Sequence, residues 1–310
     1  MRTNNPNENT KIITEVSPVL RWDSYPGSSN PGGLLIIQIN RSDGQIITSE
    51  GPRKYLLHVP ESYDAGTPTP LVISIHGFAE WPAHQMQISH WNELADEENF
   101  IVVYPRGTDF PLRWRTNGLG DSLLDVQFIS ELLDDIEINY NIDPSRIYTN
   151  GLSNGSGMSF QLACKLSDRI AAFGGVAGAY VIKWEDCNQQ RPVPAIIFHG
   201  TADPIVPFDG GPSESFDVPF VNIPEWVKQL AERNSCDLSA SEIPTQGEVD
   251  RLQYRNCAND SEVDFYIING GGHSWPGGDP LPRWIVGKTT DDINATRLMW
   301  DFFQAHPLDE

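Results

Sequence analysis

The sequence predicts an α/β domain with a mostly parallel central sheet, antiparallel strands at its N-terminal side and helices on both faces. Short apolar runs recur along the chain, and such runs suit strands that are buried on both faces of a parallel sheet. Helix-like segments alternate with these runs, which is the pattern of a sheet covered by helices. We expect an irregular arm rich in Asn, Ser, Pro and Gly over residues 1–33 and a single domain over residues 34–310.

The strand-like runs fall into two groups. They occupy residues 34–39, 45–48, 54–59, 71–76, 100–105, 146–150, 194–200 and 263–270. The first three predict an antiparallel start, with a turn at Asp43-Gly44 between the first run and the second. The later runs are short, apolar and separated by helix-like sequence, so they predict the parallel part of the sheet.

Three segments are predicted to be helices. They cover residues 121–140, 154–167 and 291–306. In the first of these, Leu124, Phe128 and Leu132 recur every four residues and form one apolar stripe. Asp121 or Ser122 can cap its first turn.

The composition excludes several classes of partner. The net charge is −21, from 42 acidic and 21 basic residues, whereas nucleic-acid binding calls for basic patches and docking on anionic lipid calls for positive charge. No apolar run is long enough for a transmembrane helix. The first ten residues, "MRTNNPNENT", lack the apolar segment of a secretory signal, so either the protein stays inside the cell or the chain begins after a removed signal.

The strongest functional motif is Gly151-Leu152-Ser153-Asn154-Gly155, which lies between a predicted strand and a predicted helix. A nucleophile elbow holds its serine in a strained turn, where neighbouring chain passes too close for a Cβ atom on the glycines. Strand, turn and helix are the context that this motif requires. We therefore interpret Ser153 as a nucleophile, the alternative being a polar residue in a structural turn.

A serine hydroxyl needs a base to take its proton and an acid to orient that base. Asp203 follows the apolar run "PAIIFHG", at a strand end where active groups collect in α/β sheets. Asp209 competes with it but lies further along the same loop. His273, in the glycine-rich loop "NGGGHSWPGG", alone follows both Ser153 and Asp203 and leaves a strand end, so it is the predicted base.

The reaction also requires N–H donors for an oxyanion. One is predicted to be the backbone N–H of Asn154, directly after the nucleophile and at the positive end of a helix. The second is predicted to be the N–H of Phe78, because Gly77 lets the chain turn after the run 71–76. His76 is a candidate for this site too, either supporting the loop or packed at the strand end.

Four cysteines are present: Cys164, Cys187, Cys236 and Cys257. They form no CxxC pair, which disfavours a zinc site, and we expect no metal. Sequence arithmetic allows three pairings and does not choose among them. Two separations of about twenty residues favour local bridges, Cys164–Cys187 and Cys236–Cys257, which would indicate an oxidising compartment. Four buried thiols in a reducing compartment are the alternative.

Six segments, in the correct order, resemble the bacterial esterases of the polyhydroxybutyrate depolymerase-like and feruloyl esterase-like type (carbohydrate esterase family 1). They are "YLLHVPESYD", "LVISIHGFAE", "IVVYPRGT", "IDPSRIYTNGLSNGSGM", "FHGTADPIVPFDGG" and "GGGHSWPGG", within residues 46–305. The resemblance implies a secreted or periplasmic α/β-hydrolase that uses no cofactor. It also supports the two cysteine pairings. Ser156 departs from the family, which usually has a second glycine there.

Carried over by position, the resemblance makes Ser153 the nucleophile, Asp203 the acid and His273 the base. It places the oxyanion N–H groups on Phe78 and Asn154. Trp275 and His76 become candidate substrate-binding residues, although Trp275 could equally be core. Trp81, Trp91 and Trp114 also lie near predicted strand ends and could stack on a substrate.

The expected activity is serine carboxylic-ester hydrolysis through an acyl-enzyme. Feruloyl, related cinnamoyl or short-chain esters, free or linked to polysaccharide, are the favoured substrates. Alternatives are hydrolysis of polyhydroxyalkanoate polymers or oligomers, and of acetylated xylan. A non-catalytic carbohydrate-binding relative is a hypothesis of another class, which a filled triad disfavours, although fold alone does not guarantee function. The sequence does not predict the oligomeric state.

Overall fold

The computed structural model describes residues 42–117, 121–213, 217–245 and 247–308. The described strands are β1 (Ser42–Thr48), β2 (Gly51–His58), β3 (Thr69–Ile75), β4 (Ile101–Pro105), β5 (Ile142–Leu152), β6 (Ala172–Val176), β7 (Ala195–Gly200), β8 (Ser241–Ile243), β9 (Val249–Tyr254) and β10 (Val263–Ile268). The helices are α1 (Pro82–Ser89), α2 (Trp91–Glu98), α3 (Ser122–Asn139), α4 (Asn154–Lys165), α5 (Ile223–Arg233), α6 (Arg283–Val286) and α7 (Ala295–Gln304), with short 3₁₀ turns at Trp184–Asp186 and Ala258–Asp260. The predicted arm and the predicted strand at 34–39 lie outside the described residues.

The ten described strands form one sheet in the order β1-β2-β4-β3-β5-β6-β7-β10-β9-β8. The central strands, from β4 to β10 in that order, pair in parallel. Strands β1 and β2 are antiparallel, as predicted, and so are β8 and β9 at the other edge. The fold class expected from the sequence is therefore confirmed, while the antiparallel C-terminal edge was not foreseen.

The predicted turn at Asp43-Gly44 is wrong. Both residues lie inside β1, where Asp43 pairs with Leu56 and Gly44 with Tyr55. A Cβ atom on Gly44 would come within 2.2 Å of the Tyr55 ring. The ring of Tyr55, on the neighbouring strand β2, therefore occupies the space beside Gly44, and the Asp-Gly pair does not reverse the chain.

Helices cover both faces of the sheet. Adjacent residues of a strand point to opposite faces, so each central strand contributes to two cores. In β7, Ile196 and Phe198 belong to a core that includes residues of α1, α2 and α7. Ala195 and Ile197 point the other way, into a core that includes residues of α4 and α5. The apolar stripe of α3 packs on that second side, although the Asp121 side chain makes no capping hydrogen bond.

Two disulfides join the pairs that the cysteine spacing favours. Cys164, at the end of α4, is bonded to Cys187, and Cys236 is bonded to Cys257. The alternative of four thiols is thereby excluded in this structure. Among the described helices, none combines the length and the apolar character needed to cross a membrane.

Candidate active site

Ser153 occupies a strained turn between β5 and α4. Its φ and ψ angles are 57° and −118°, in a region that side-chain-bearing residues rarely adopt. A Cβ atom on Gly155 would lie 2.2 Å from the carbonyl oxygen of Ile75, and one on Gly151 would lie 2.4 Å from the backbone of Gly155. Both glycines are therefore needed because β3 and α4 pass so close to the turn. This is the geometry expected of a nucleophile elbow.

Asp203 and His273 are in direct contact. The Oδ2 atom of Asp203 lies 2.8 Å from Nδ1 of His273, and the Oδ1 atom accepts the N–H groups of Ile205 and Val206, each at 2.8 Å. Burial alone would raise the pKa of Asp203, but His273 and these hydrogen bonds lower it below its ordinary value. The carboxylate is thus ionised, and its position assigns the proton of the imidazole to Nδ1. That tautomer leaves Nε2 free to act as a base.

The competing acid is in a different environment. Asp209 is exposed and makes no contact with His273 among the described residues. Asp203 is favoured because it lies only three residues after β7, so the strand fixes its position. The side chains of Ser153, Asp203 and His273 are all less than a tenth exposed.

The sheet brings the three candidate residues to one edge. Ser153 follows β5, Asp203 follows β7 and His273 follows β10, and these strands are parallel and separated only by β6. The carboxyl ends of parallel strands share an edge, so the three loops meet there. The structure joins Asp203 to His273 but forms no hydrogen bond between the Ser153 hydroxyl and His273. The Ser153–His273 contact therefore belongs to the proposal made below.

The two candidate oxyanion donors are both available. The N–H of Asn154 is the first in α4, and the first N–H groups of a helix have no intrahelical acceptor. In the neighbouring loop, the N–H of Ala79 is held by the carbonyl of Leu112 at 2.8 Å. The N–H of Phe78 finds no acceptor within the described parts of the chain.

His76 supports the oxyanion loop from below and does not bind substrate. Its side chain is fully buried; Nδ1 donates to the carbonyl of Gly77 at 2.8 Å, and Nε2 accepts the N–H of Gly107 at 3.0 Å. Burial lowers the pKa of His76 to about 4, so the ring is neutral at neutral pH. Its assignment to substrate binding is corrected, because both nitrogens are occupied by backbone groups.

Trp275 is likewise a core residue. It is 1% exposed, and its indole N–H donates to the hydroxyl of Thr296 at 2.9 Å. Its ring packs in the core that also includes residues of α1, α2 and α7. Trp91 and Trp114 are also buried, whereas Trp81 is 56% exposed.

Two charged or titratable neighbours of the site were missed by the sequence interpretation. One Glu80 carboxylate oxygen accepts the N–H of Gly77 at 2.9 Å, and the other lies 3.3 Å from Nδ1 of His84. Burial acts to raise the pKa of Glu80, but the contact with His84 and the Gly77 N–H lower this pKa below its ordinary value. Glu80 therefore links the candidate oxyanion loop to His84. The four-residue spacing of Glu80 and His84 in the sequence was the available signal.

The second missed residue is His199, at the end of β7. Its Nε2 lies 2.9 Å from the carbonyl oxygen of Val206 and 3.5 Å from Oδ2 of Asp203. Burial lowers the pKa of His199, so the neutral ring donates its Nε2 proton toward these oxygens. Chain order excluded it as a base, yet it helps to hold the acid loop.

The strained turn between a parallel strand and a helix, with an acid–histidine pair after later strands, is the arrangement of the α/β-hydrolase fold, which this chain adopts. In three dimensions it is similar to an acetyl xylan esterase from Aspergillus awamori, with a TM-score of 0.60 and 15% identity over 85% of this chain and 99% of that one. No protein-family model matches the chain.

Two curated relatives indicate which kinds of esterase the chain is similar to in sequence. The chain is 34% identical over 242 residues to a bifunctional acetylxylan esterase/xylanase from Neocallimastix patriciarum, and 28% identical over 244 residues to feruloyl esterase B from Piromyces equi. Each alignment covers 76% of this chain, but only 33% of the first relative and 45% of the second. The chain is thus related to feruloyl and acetylxylan esterases, as its motifs predicted. These relatives do not support the polyhydroxybutyrate depolymerase part of that resemblance.

Proposed function

We propose that this chain is a serine carboxylic-ester hydrolase for feruloyl or acetyl esters carried by plant polysaccharide. The observation that carries the proposal is the Asp203–His273 pair, bonded at 2.8 Å, on the same sheet edge as the strained Ser153. The names of the relatives support the choice of ester. The two disulfides support action in an oxidising compartment, outside the cytosol.

In the proposed mechanism, Nε2 of His273 takes the Ser153 proton as the oxygen attacks the ester carbonyl. The new C–O bond pushes an electron pair onto the carbonyl oxygen, which accepts the N–H groups of Phe78 and Asn154. Asp203 stabilises the imidazolium without taking its proton. Collapse of the intermediate expels the alcohol, which leaves with the proton from His273. Water then repeats the same steps on the acyl-enzyme and releases the acid.

Replacing Ser153 with Ala tests this proposal. We expect hydrolysis of p-nitrophenyl acetate to fall by at least about a thousandfold, because the nucleophile is removed while the fold is kept. Labelling by a fluorophosphonate should disappear as well. Ser62→Ala, at an exposed serine, is the matched control and should retain both signals.

An unlabelled wild-type protein, or a Ser153→Ala variant that still hydrolyses the ester, would contradict the proposal. The first result would favour a carbohydrate-binding relative without catalysis. For an active enzyme, kcat/KM values for methyl ferulate and for acetylated xylan identify the preferred acyl group.

A further inference from the structure

Three exposed aromatic residues lie near the candidate active site in the described part of the chain. Among the Trp and Phe residues that the structure describes, only Trp81, Phe110 and Trp284 are exposed, at 56%, 99% and 86%. Single exposed apolar residues are ordinary, but a group of them at one place marks a binding surface. All three lie in segments that touch the candidate active site.

Trp81 belongs to the segment that follows β3. It is next to Glu80, whose carboxylate accepts the N–H of Gly77 in the oxyanion loop. Its ring also lies 5.7 Å from the ring of His84. Trp81 is therefore exposed directly beside the loop that would hold the oxyanion.

Phe110 is carried by the loop after β4. The carbonyl of Leu112 in this loop accepts the N–H of Ala79, which directly follows the candidate oxyanion donor Phe78. Asp109, next to Phe110, forms a salt bridge with Arg113 at 3.0 Å, so the loop carries a charged pair beside the exposed ring. Phe110 thus lies in a second segment that is hydrogen-bonded to the candidate oxyanion loop.

Trp284 lies in α6, after β10. The carbonyl of Val286, at the end of this short helix, accepts the backbone N–H of His273, and the neighbouring N–H of Gly272 donates to Lys288 at 2.8 Å. The segment that exposes Trp284 is therefore bonded to the loop of the candidate base. Ile285 beside it is 45% exposed.

We propose that Trp81, Phe110 and Trp284 form an aromatic rim that binds the neutral sugar chain to which the ester is attached. The inference rests on the proposed function. The three rings are carried by segments that are bonded to the candidate oxyanion loop or to the loop of the candidate base, so the part of a substrate that extends beyond the ester is the part that can reach them. Rings on three separate loops suit an extended polymer better than one small acyl group.

The chemistry of the rim favours a sugar chain over other occupants. A sugar ring offers C–H groups to an aromatic face and hydroxyl groups to polar neighbours, and Arg113 and Arg283 are exposed beside Phe110 and Trp284. The net charge of −21 opposes docking on an anionic lipid surface. The net charge of −21 repels polyanions, so the polymer is expected to be uncharged.

The first test compares polymeric and small substrates. Trp81→Ala, Phe110→Ala and Trp284→Ala should each reduce the ratio of kcat/KM for acetylated xylan to kcat/KM for p-nitrophenyl acetate by about tenfold, mainly through KM, as expected when one central contact is lost. Ile47→Ala and Ile138→Ala remove equally exposed side chains, at 74% and 77%, outside the rim and should leave the ratio unchanged. An unchanged ratio in all three rim variants would overturn the proposal.

The second test measures binding without catalysis, in the Ser153→Ala background. Electrophoresis in gels that contain neutral arabinoxylan should retard the parent protein, and each rim substitution should abolish this retardation. Gels with polygalacturonate should give none. Retention by phosphatidylcholine vesicles instead, or a dimer that the rim substitutions dissociate, would replace the sugar chain with a lipid or with a second copy. Failure here leaves hydrolysis of p-nitrophenyl acetate intact, whereas failure of the proposed function abolishes that hydrolysis in the wild type.

Discussion

Replacing Asp203 with Asn removes one negative charge beside His273 and changes the shape of the side chain very little. The amide oxygen can keep the two backbone N–H bonds that Oδ1 accepts from Ile205 and Val206. Its NH₂ group then faces Nδ1 of His273, and this nitrogen has to become an acceptor. The imidazole proton therefore moves to Nε2, which is the atom that must take the proton of Ser153.

The expected cost follows from this wrong tautomer. For triads of this kind the exchange lowers kcat by about 10³- to 10⁴-fold. At 1.36 kcal/mol for each factor of ten, this corresponds to about 4–5.5 kcal/mol of lost transition-state stabilisation. Stability should change much less, by about 1.5–3 kcal/mol for one charge-assisted hydrogen bond.

The assay is the initial rate of p-nitrophenyl acetate hydrolysis under saturating substrate, together with urea unfolding of the same preparation. Asp209→Asn is the matched control, because Asp209 is exposed in the same loop and should leave kcat within about twofold. A folded Asp203→Asn enzyme that keeps kcat within about tenfold of the wild type would refute the assigned role of this carboxylate.

Two further predictions concern the supports of the site. Gly155→Ala places a Cβ atom 2.2 Å from the Ile75 carbonyl, so we expect the free energy of unfolding in urea to fall by more than about 2 kcal/mol. In the control Gly66→Ala, the Cβ atom would meet ordinary contacts at 3.4 Å, and the loss should be less than about 1 kcal/mol. Equal losses in the two variants would contradict the steric argument. Burial lowers the pKa of His76 from 6.5 to about 4, so between these values the unfolded chain binds the extra proton and stability falls as the pH falls. This contribution of His76 to the free energy of unfolding amounts to about 2 kcal/mol between pH 7 and pH 5, and His199 acts in the same direction. We expect His76→Gln to remove this contribution from the measured pH dependence of unfolding. An unchanged pH dependence would exclude His76 as its source.

Much of the candidate site could be predicted because it depends on local sequence. A serine between two glycines, preceded by an apolar strand and followed by a helix, defines the elbow without any long-range information. Asp203 and His273 could be found because chain order and strand ends restrict the choice to very few residues. The cysteine pairs were favoured by spacing, since each bridge closes a short loop, and were supported by the family resemblance.

The missed elements have weak local signals. Strand β6, "AFGGV", contains two glycines, and its place is decided by neighbouring strands on both sides. Strand β8 has only three residues at the edge of the sheet, and β9, next to it, carries the charged residues Asp250 and Arg251 near its start. Such strands form because a partner offers backbone hydrogen bonds, so their own side chains carry little information.

The roles of the tryptophans and histidines were also beyond the sequence. Trp81 and Trp275 both follow motif residues at predicted loops, yet one is exposed and the other is 1% exposed. Whether a ring faces solvent depends on which helices pack against it. The hydroxyl of Thr296, in α7, accepts the indole N–H of Trp275. The role of His76 was ambiguous for the same reason. Its ring donates to the carbonyl of Gly77 and accepts the N–H of Gly107, and both contacts depend on how the neighbouring loops fold.

The sequence by itself predicted the parallel sheet, the elbow at Ser153 and the candidate acid and base, because each prediction depends on short motifs and on the order of strands. Only the tertiary structure decided that Glu80 reaches the candidate oxyanion loop, that His76 and Trp275 are buried, and that three exposed aromatic residues lie in segments bonded to the loops of the site. The physical reason is that contacts between distant segments depend on how the loops fold over the sheet edge. Burial and hydrogen bonding there are set by all of those loops together, and no single segment encodes them.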